Sequence, residues 1–467
     1  MRLARYLTVE ACGLGLFWSW CYCLWFVPDV YSGIGSALPG RDFAWVAVLA
    51  SAAVVQFLVP LVFKRRPLSS FPWLYVLAPA VMFVGTVGIE LSEQIRSEML
   101  YAVSSVLAGA SSAFLWHLWG ERFSATRNAD TGAMAFAFGA VLSVTLLIVF
   151  FLPVPASNAL IALIPLASAV LLQKSVRARP VLEPASLLPK ASRKMGLGPM
   201  AKVSCIVFLV CAVCTYCWAS APVLDQPWGS ELLCGGIVVG ALFMIAAALP
   251  SLLFETALPS GRLLLWSGML AVVSVALHAS GDVSLVPLSF VLSLATSVIL
   301  DVLLASYFVM LVVKGYTASA TAFGFSEGFI CAAMLLGNGA SRIVMAAGGE
   351  AFPLPIALAL LCLLALLILL LGDQQREINV ITSAAPEASD AERNCKAIAD
   401  EFGLSAREYE ILVLIGQGYT TQSLARALVL SPYTVQTHIK HIYAKTGIHR
   451  RSELMDYVNL GRTSFDE

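Results

Sequence analysis

Charged residues are scarce in this sequence. Only 12% of its 467 residues are Asp, Glu, Lys or Arg, whereas 59% are hydrophobic. A soluble protein carries about 25% charged residues, so a wholly soluble fold is excluded. The scarcity is uneven, because all ten Trp and the long apolar runs lie in the first 372 residues and the remainder is polar. The composition therefore predicts two domains of different classes.

Enzyme motifs are missing as well. The sequence has no P-loop, no HExxH and no paired catalytic carboxylates in a polar context. GFSEG at 324–328 matches a hydrolase nucleophile elbow, but that motif needs a preceding strand and this segment lies inside an apolar run. Gly324 and Gly328 instead indicate a close-packed helix face. We expect neither enzyme activity nor a cofactor.

Most of the eleven Cys also lie inside apolar runs. Cys211, Cys214 and Cys217 are evenly spaced, but they would share one helix without a nearby His or acidic residue. Such a set is a poor zinc site. These cysteines are better explained as small apolar residues, and no metal site is expected.

Twelve apolar runs are long enough, at about 20 residues, to cross a bilayer as helices. They cover 9–27, 43–63, 72–91, 99–119, 132–152, 157–173, 203–222, 231–254, 263–280, 284–313, 318–346 and 353–372. The sequence therefore predicts an all-α fold, with a polytopic transmembrane bundle over residues 1–372.

Basic residues gather in alternate loops between these runs, and the other loops hold little beyond Arg41 and Arg96. The positive-inside rule then places both termini in the cytoplasm, with the chain multi-pass in the cell membrane. The longest inner loop, 174–202, divides the runs six and six. This layout resembles the major facilitator superfamily, although KRRPLSS after the second run lacks the Gly and Asp of that family's signature.

Ionisable residues inside membrane helices are costly and are functional candidates. Those within or at the edges of the runs are Glu90, His117, Glu255, His278, Asp301, Glu327 and Arg342. Asp301 and Glu327 lie deepest. They could contact a cationic or hydrogen-bonding small molecule, pair with Arg342, or fix helix packing through a hydrogen bond.

A polar linker, 373–397, leads into a small domain at 398–464. Its first part should be flexible, and a helical pattern begins at Ser389. Further helices are predicted over 405–416 and 421–428, after Ser431, and from about Arg451. Ser405 and Glu408 form a capping box. Ser431 precedes Pro432 as a favoured N-cap.

The helix after Ser431 has two different faces. Val435, Ile439 and Ile442 form an apolar stripe, and Gln436, Thr437 and Lys440 share a different face. Residues 431–451 include four Lys or Arg and no acid. Such a helix fits the major groove of DNA, although an ordinary solvated face would have a similar pattern.

The residue pattern of this segment resembles the LuxR-type helix-turn-helix. Matching positions are Leu404, Arg407, Glu408, Glu410, Leu412, Gly418, Ala425, Leu428, Ser431, Thr434, Val435, His438, Ile442, Lys445, Gly447, Arg451 and Glu453. The resemblance implies a four-helix domain with its motif at 421–440. It assigns base contacts to Gln436, Thr437 and Lys440. It assigns phosphate contacts to Thr421, Tyr433, Thr434 and Lys445, and dimerisation to the last helix.

Two positions depart from the LuxR pattern. Ser423 replaces a common acidic capping partner, which is expected to weaken the second helix slightly. Gln436 stands where that family often has Lys or Arg. Gln can pair with adenine through two hydrogen bonds, whereas Arg favours guanine, so the preferred DNA site is expected to differ.

These features together predict a membrane-anchored one-component transcription regulator. Its membrane half would bind a small molecule, and it would bind double-stranded DNA as a homodimer. The alternative is a secondary transporter with a regulatory or vestigial tail. A third interpretation is a tail that binds protein rather than DNA.

Overall fold

The computed structural model describes residues 7–26, 43–63, 66–125, 131–178, 197–221, 229–254, 258, 260–280, 282–313, 316–346, most of 360–370, and 388–460 with short gaps after 416. Its regular secondary structure is helical, and the described residues contain no strand. The linker segment 373–387, the loop segment 179–196 and Glu255 lie outside the described residues. The predicted all-α fold is confirmed for the rest.

Eleven long apolar helices are described in full in the membrane half. They are α1 (Val9–Phe26), α2 (Phe43–Val62), α3 (Leu74–Ile95), α4 (Glu98–Ala125), α5 (Thr131–Phe151), α6 (Val154–Ala178), α7 (Leu197–Ser220), α8 (Gly229–Phe254), α9 (Ser260–Ala279), α10 (Val286–Val313) and α11 (Ser319–Ala346). A short 3-10 helix, Leu68–Ser70, lies between α2 and α3.

The ten helices α2–α11 are long and apolar enough to cross a membrane, and α1 contains a shorter apolar stretch, Val9–Leu24. Of the twelfth predicted run, residues 360–361, 363–368 and 370 are described, and they are helical. The predicted series of apolar helices is therefore confirmed wherever the structure describes it.

The first half of the bundle (α1–α6) packs on the second (α7 onward) mainly through α2 with α11 and α5 with α8. Small residues allow this approach. A Cβ on Gly324 of α11 would lie 2.4 Å from the Gln56 carbonyl oxygen of α2, and one on Gly139 of α5 would lie 2.4 Å from the Ala241 carbonyl oxygen of α8. The close-packed helix face predicted at Gly324 and Gly328 is thus confirmed.

The C-terminal domain contains four described helices, α12 (Ala388–Glu401), α13 (Ala406–Gly416), α14 (Pro432–Thr446) and α15 (Arg451–Leu460). Of the predicted helix 421–428, residues 421, 424 and 425 are described as helical. The core is made by Ile411, Leu412, Ile415, Leu424, Val435, Ile442, Leu454 and Val458. Cys395 and Ile398 of α12 belong to the same core, so packing begins before residue 398.

Both predicted helix starts in this domain are confirmed by their hydrogen bonds. Ser405 and Glu408 cap each other reciprocally, with the Ser405 N–H 2.7 Å from Glu408 Oε2 and the Glu408 N–H 3.3 Å from Ser405 Oγ. Ser431 Oγ accepts the Thr434 N–H at 3.0 Å. Gly447, with φ of 68°, ends α14 in a left-handed conformation that glycine adopts readily.

Candidate DNA-binding and ligand-binding sites

Helix α14 has the buried face and the exposed face that its periodicity predicts. Val435, Ile439 and Ile442 are buried in the domain core. Gln436 and Lys440, one turn apart, are exposed. Thr437 is half-buried and its hydroxyl donates to the Tyr433 carbonyl at 3.1 Å, while its oxygen can still accept. The structure therefore brings the three predicted base-contacting residues onto the outer part of one helix.

Of the four predicted phosphate-contacting residues, Tyr433 and Thr434 lie at the start of α14, and Thr421 lies at the start of the 421–440 motif. Tyr433 is 81% exposed, which is unusual for a large aromatic side chain. The Thr434 and Ser431 hydroxyl oxygens are 2.8 Å apart. Thr421 is half-buried. Tyr433 is thus the most accessible of these side chains.

Lys445, the fourth, has a structural role in the domain. Its ammonium donates to Glu408 Oε2 at 2.7 Å and to the Gly403 carbonyl at 2.9 Å. Burial opposes ionisation of Glu408, but hydrogen bonds from Lys445 and Ser405 outweigh it and lower the pKa of that carboxyl to about 2. The pair joins the beginning of α13 to the end of α14. It therefore orients the helix that carries Gln436 and Lys440.

Two arginines whose structural role the sequence did not reveal hold the same motif in place. Arg407 donates to the Leu428 carbonyl at 2.9 Å, just before the turn into α14. Arg451, at the start of α15, donates to the Tyr419 carbonyl. The partners are 21 and 32 residues apart in sequence, so helical periodicity carries no signal for them.

Residues 403–458 match the luxR family of bacterial regulatory proteins. The C-terminal domain is a LuxR-type helix-turn-helix domain. The chain is 35% identical over 88 residues to the oxygen regulatory protein NreC of Staphylococcus aureus, covering 18% of this chain and 41% of NreC. It is 40% identical over 53 residues to the putative HTH-type transcriptional regulator Rv0890c of Mycobacterium tuberculosis, covering 11% of this chain and 6% of that protein. The chain thus spans less than half of the length of either relative.

The membrane half that precedes the LuxR-type domain is similar in structure to transporters. The human organic anion transporter MFSD10 superposes with a TM-score of 0.54 at 14% identity, covering 79% of this chain and 99% of that one. A bacterial homologue of the iron transporter ferroportin gives 0.52 at 14% identity, covering 80% and 98%. The chain therefore combines a major-facilitator-like membrane half with a LuxR-type DNA-binding domain. At this identity the likeness concerns fold alone.

The structure brings the two predicted ligand-contacting acids together inside the membrane half. Asp301 of α10 and Glu327 of α11 are both 5% exposed, and their carboxyl groups interact electrostatically. The Tyr22 hydroxyl of α1 donates to Asp301 Oδ2 at 3.3 Å. The Cys331 thiol lies 3.8 Å from Glu327 Oε1. Three helices from both halves thus meet at this pair.

Arg342 does not neutralise these acids, which corrects one alternative from the sequence. It lies 15 residues after Glu327 on the same helix, which places it about 22 Å away at 1.5 Å per residue. It is exposed, and its Nε donates to Asn338 Oδ1 at 2.8 Å. Within the described part of the chain, no basic side chain pairs with Asp301 or Glu327.

The other ionisable residues singled out in the runs have different surroundings. Glu90 is half-buried. The His278 ring Nδ1 lies 3.4 Å from the Ser289 hydroxyl oxygen. His117 is fully buried, and neither of its ring nitrogens has a hydrogen-bond partner among the described residues. Among the described residues, no group of three or more His, Cys, Asp or Glu is placed to hold a metal ion.

Two charged residues at the end of α4 were not recognised as candidates. The Glu121 carboxylate, 1% exposed, accepts the backbone N–H groups of Leu68 and Ser69. Arg122 donates to Ser175 Oγ at 2.5 Å and lies 3.5 Å from Glu10 Oε1. Both follow shortly after the apolar run 99–119, in a segment that the sequence pattern assigns to a loop. The sequence signal that could have identified them is the adjacent acid and base, Glu121 and Arg122, near the end of a predicted helix.

Proposed function

We propose that this protein is a one-component transcription regulator in which a small molecule bound by the membrane half controls sequence-specific DNA binding by the LuxR-type domain. One observation carries the proposal. The exposed Gln436–Lys440 face belongs to a capped helix with a buried opposite stripe, in a chain whose other half has a transporter-like fold.

DNA recognition would centre on α14. Gln436 offers an amide that can form two hydrogen bonds to adenine in the major groove, and Thr437 and Lys440 would contact neighbouring bases. Tyr433, Thr434 and Thr421 would hold phosphates. Lys445 uses two of its three ammonium donors inside the domain, so at most one remains for a phosphate. Its main contribution would be to orient α14.

Two copies are expected on DNA. In two-fold dimers of helix-turn-helix proteins, each recognition helix enters the major groove of one half-site. The LuxR-type resemblance assigns dimerisation to α15, and an isologous contact there would match an inverted-repeat site. DNA contact also requires the C-terminus to be cytoplasmic, so we propose a multi-pass protein of the cell membrane with both termini inside. The units would be 1–372, a linker 373–397 and a domain 398–464.

Asp301 and Glu327 are the proposed ligand contacts. A buried carboxylate is unfavourable unless a proton, a cation or hydrogen-bond donors compensate it. Tyr22 supplies one donor to Asp301, and no described basic residue supplies a charge. A cationic or hydrogen-bonding small molecule would provide this compensation. To regulate, it must bind one arrangement of the membrane half more tightly than another.

The deciding experiment is genome-wide chromatin immunoprecipitation of the intact protein. We expect discrete peaks that disappear in the Gln436→Ala/Lys440→Ala variant, because that variant removes base contacts without altering the core. A protein that is present in the membrane yet gives no peaks across varied growth conditions would contradict the proposal. DNA affinity that is insensitive to salt would instead favour a protein-binding tail.

A secondary transporter with a regulatory tail is the second candidate, favoured by the structural similarity to two transporters. Its distinguishing result is ligand-dependent uptake into vesicles that is lost in Asp301→Asn and Glu327→Gln. A regulator without transport activity would bind the same ligand without accumulating it.

A further inference from the structure

One end of the membrane bundle exposes only basic charge among the residues that the structure describes. Glu121 near the end of α4 accepts a hydrogen bond from Ser319 at the start of α11, and Arg122 donates to Ser175 near the end of α6. These contacts place the three helix termini at one end, and because successive helices alternate in direction, α7 and α9 begin there too. The exposed charged residues described at this end, which we call the basic edge, are Arg66, Lys174, Arg177, Lys202 and Arg262.

The acids described at the same end do not neutralise the basic edge. Glu121 is buried and accepts backbone N–H groups, and Glu10 pairs with Arg122. Arg66, Arg177 and Arg262 form no ion pair with a described residue. Arg262 is the third residue of α9, where the helix dipole makes a cation unfavourable. An anion from outside the chain would offset this charge.

The opposite end of the bundle has a mixed charge. Its exposed charged residues, within the described part of the chain, are Arg96, Glu98, Glu231, Asp282 and Arg342. Three of these are acids and two are bases, whereas all five residues of the basic edge are cations. The positive-inside rule accounts for the sign of the basic edge. The two anionic surfaces that could meet it are lipid headgroups and DNA.

The chain itself keeps DNA close to the basic edge. Helix α11 begins at that edge, so the helical segment at 360–370 runs back towards it. The 17 residues 371–387 separate this segment from α12, and a chain of that length spans at most about 60 Å. A duplex of about 60 bp is roughly 200 Å long and is shorter than its persistence length. Its flanks would therefore extend well past the small domain that holds its centre.

The membrane makes a basic surface useful to a DNA-binding protein in this position. An anionic leaflet has a surface potential of about −30 mV and repels a polyanion held near it. A surface with five exposed cations would offset that repulsion for any duplex bound by the C-terminal domain. Lipid headgroups need no such surface at the same end as the DNA-binding domain.

We propose that the basic edge is a second DNA contact, which holds phosphates flanking a site while α14 contacts the bases of the site itself. This contact rests on the proposed function, because DNA must first be bound by the C-terminal domain. Phosphate contacts carry no sequence information. The basic edge would therefore increase the affinity for long duplexes without changing which site is preferred.

The test compares two duplexes that contain the same recovered site, of 20 and 60 bp, by fluorescence anisotropy of the full-length protein in zwitterionic lipid nanodiscs. We expect the parent protein to bind the longer duplex about tenfold more tightly at about 0.1 M salt. Arg177→Gln/Arg262→Gln should remove most of this advantage. It should also lower the salt slope on the longer duplex by about two units, since each phosphate contact contributes about 0.9. Its affinity for the shorter duplex should match that of the parent.

Arg96→Gln/Arg342→Gln is the matched control, because it also removes two exposed arginines but at the opposite end. It should keep the full advantage of the longer duplex, including any gain from the additional positions that a longer duplex offers. Equal losses in the two double variants would overturn the proposal. Equal binding of both duplexes by the parent, with weaker retention of anionic lipid by Arg177→Gln/Arg262→Gln, would assign the basic edge to lipid. A parent protein that binds neither duplex would refute the proposed function together with this contact.

Discussion

Serine has different roles in the two regions of this molecule. In the C-terminal domain, Ser405 and Ser431 precede helices and accept backbone N–H groups. In the membrane half, Ser19, Ser105 and Ser306 lie inside helices and donate to the carbonyl four residues earlier, at 2.7–2.8 Å. The serine hydroxyl therefore caps the start of a helix in one region and bonds to a carbonyl within its own helix in the other.

This difference follows from the solvent. In water, a serine hydroxyl competes with backbone hydrogen bonds and favours helix ends. In a bilayer, backbone groups must bond within their own helix, and the hydroxyl finds a partner in the nearest carbonyl. Polar contacts between membrane helices, such as those of Glu121 and Arg122, are then the exceptions that specify how the helices are arranged.

The largest loss of stability is expected from removing one of these polar contacts between membrane helices. Arg122→Met removes a buried guanidinium and leaves Glu10 without its cation, which should cost about 3–5 kcal/mol of stability. The measurement is the thermal midpoint of the detergent-solubilised protein and its amount in the membrane. Arg177→Met is the control, since Arg177 lies near the end of α6 and is exposed. Equal losses of thermal stability in both variants would show that the contact of Arg122 with Glu10 and Ser175 does not stabilise the membrane half.

A second prediction separates two exposed lysines on different helices of the C-terminal domain. Lys440→Ala should weaken DNA binding by about 1–2 kcal/mol and reduce its salt dependence by about one unit of slope. Fluorescence anisotropy of the intact protein on a recovered site, at several salt concentrations, measures both. Lys396→Ala on α12, also an exposed lysine, should leave affinity unchanged. An unchanged slope in Lys440→Ala would remove Lys440 from the DNA interface.

The Glu408–Lys445 pair should make the C-terminal domain sensitive to acid. The pKa of Glu408 is lowered from 4.5 to about 2, so its stabilisation is complete above about pH 4.5 and is lost as the pH falls through about 2. We expect about 1–2 kcal/mol, because Lys445 is partly exposed to solvent. Hydrogen exchange of α13 and α14 in the intact protein, followed from pH 6 downwards, measures it.

Two variants check the assignment of that acid sensitivity. Glu408→Gln should abolish it, and Glu410→Gln, whose side chain is 52% exposed beside Arg407, should retain it. Acid sensitivity that survives Glu408→Gln would have to originate elsewhere in the domain.

The smallest effects concern serine itself. Ser431→Ala should destabilise the C-terminal domain by about 1 kcal/mol, because the Thr434 N–H loses its acceptor. Ser306→Ala in α10 should change the stability of the membrane half by less than about 0.5 kcal/mol, since the carbonyl it bonds keeps its helical partner. Comparable losses, measured by exchange in each region, would contradict the contrast between them.

The elements that sequence predicted well depend on neighbours close in the chain. Apolar runs, the capping box at Ser405 and the cap at Ser431 are local patterns, and the structure confirms them. The contacts that orient the elements are not local. Glu408 and Lys445 are 37 residues apart, and Glu121 and Ser319 are 198 apart. Hydrophobic periodicity predicts which face of a helix is buried, but it does not predict which distant residues that face contacts.

The candidate site shows the same division. The outer face of α14 could be read from spacing, and the depth of Asp301 and Glu327 from hydropathy. Their common cluster with Tyr22 required the packing of α1, α10 and α11. The competing use of Lys445 by Glu408 was also invisible, because the resemblance alone assigns that lysine to phosphate.

The position of α12 has a mechanical consequence for the tether. Cys395 belongs to the domain core, and the Asn394 side chain donates to the Val458 carbonyl of α15 at 3.0 Å. Helix α12, which follows the linker, is thus bonded to α15, the helix to which the LuxR-type resemblance assigns dimerisation, and not to α14, which carries the proposed DNA contacts. A pull or twist transmitted through the linker would therefore act first on α15 and the proposed dimer contact. The membrane half would then control dimerisation before it controls DNA recognition.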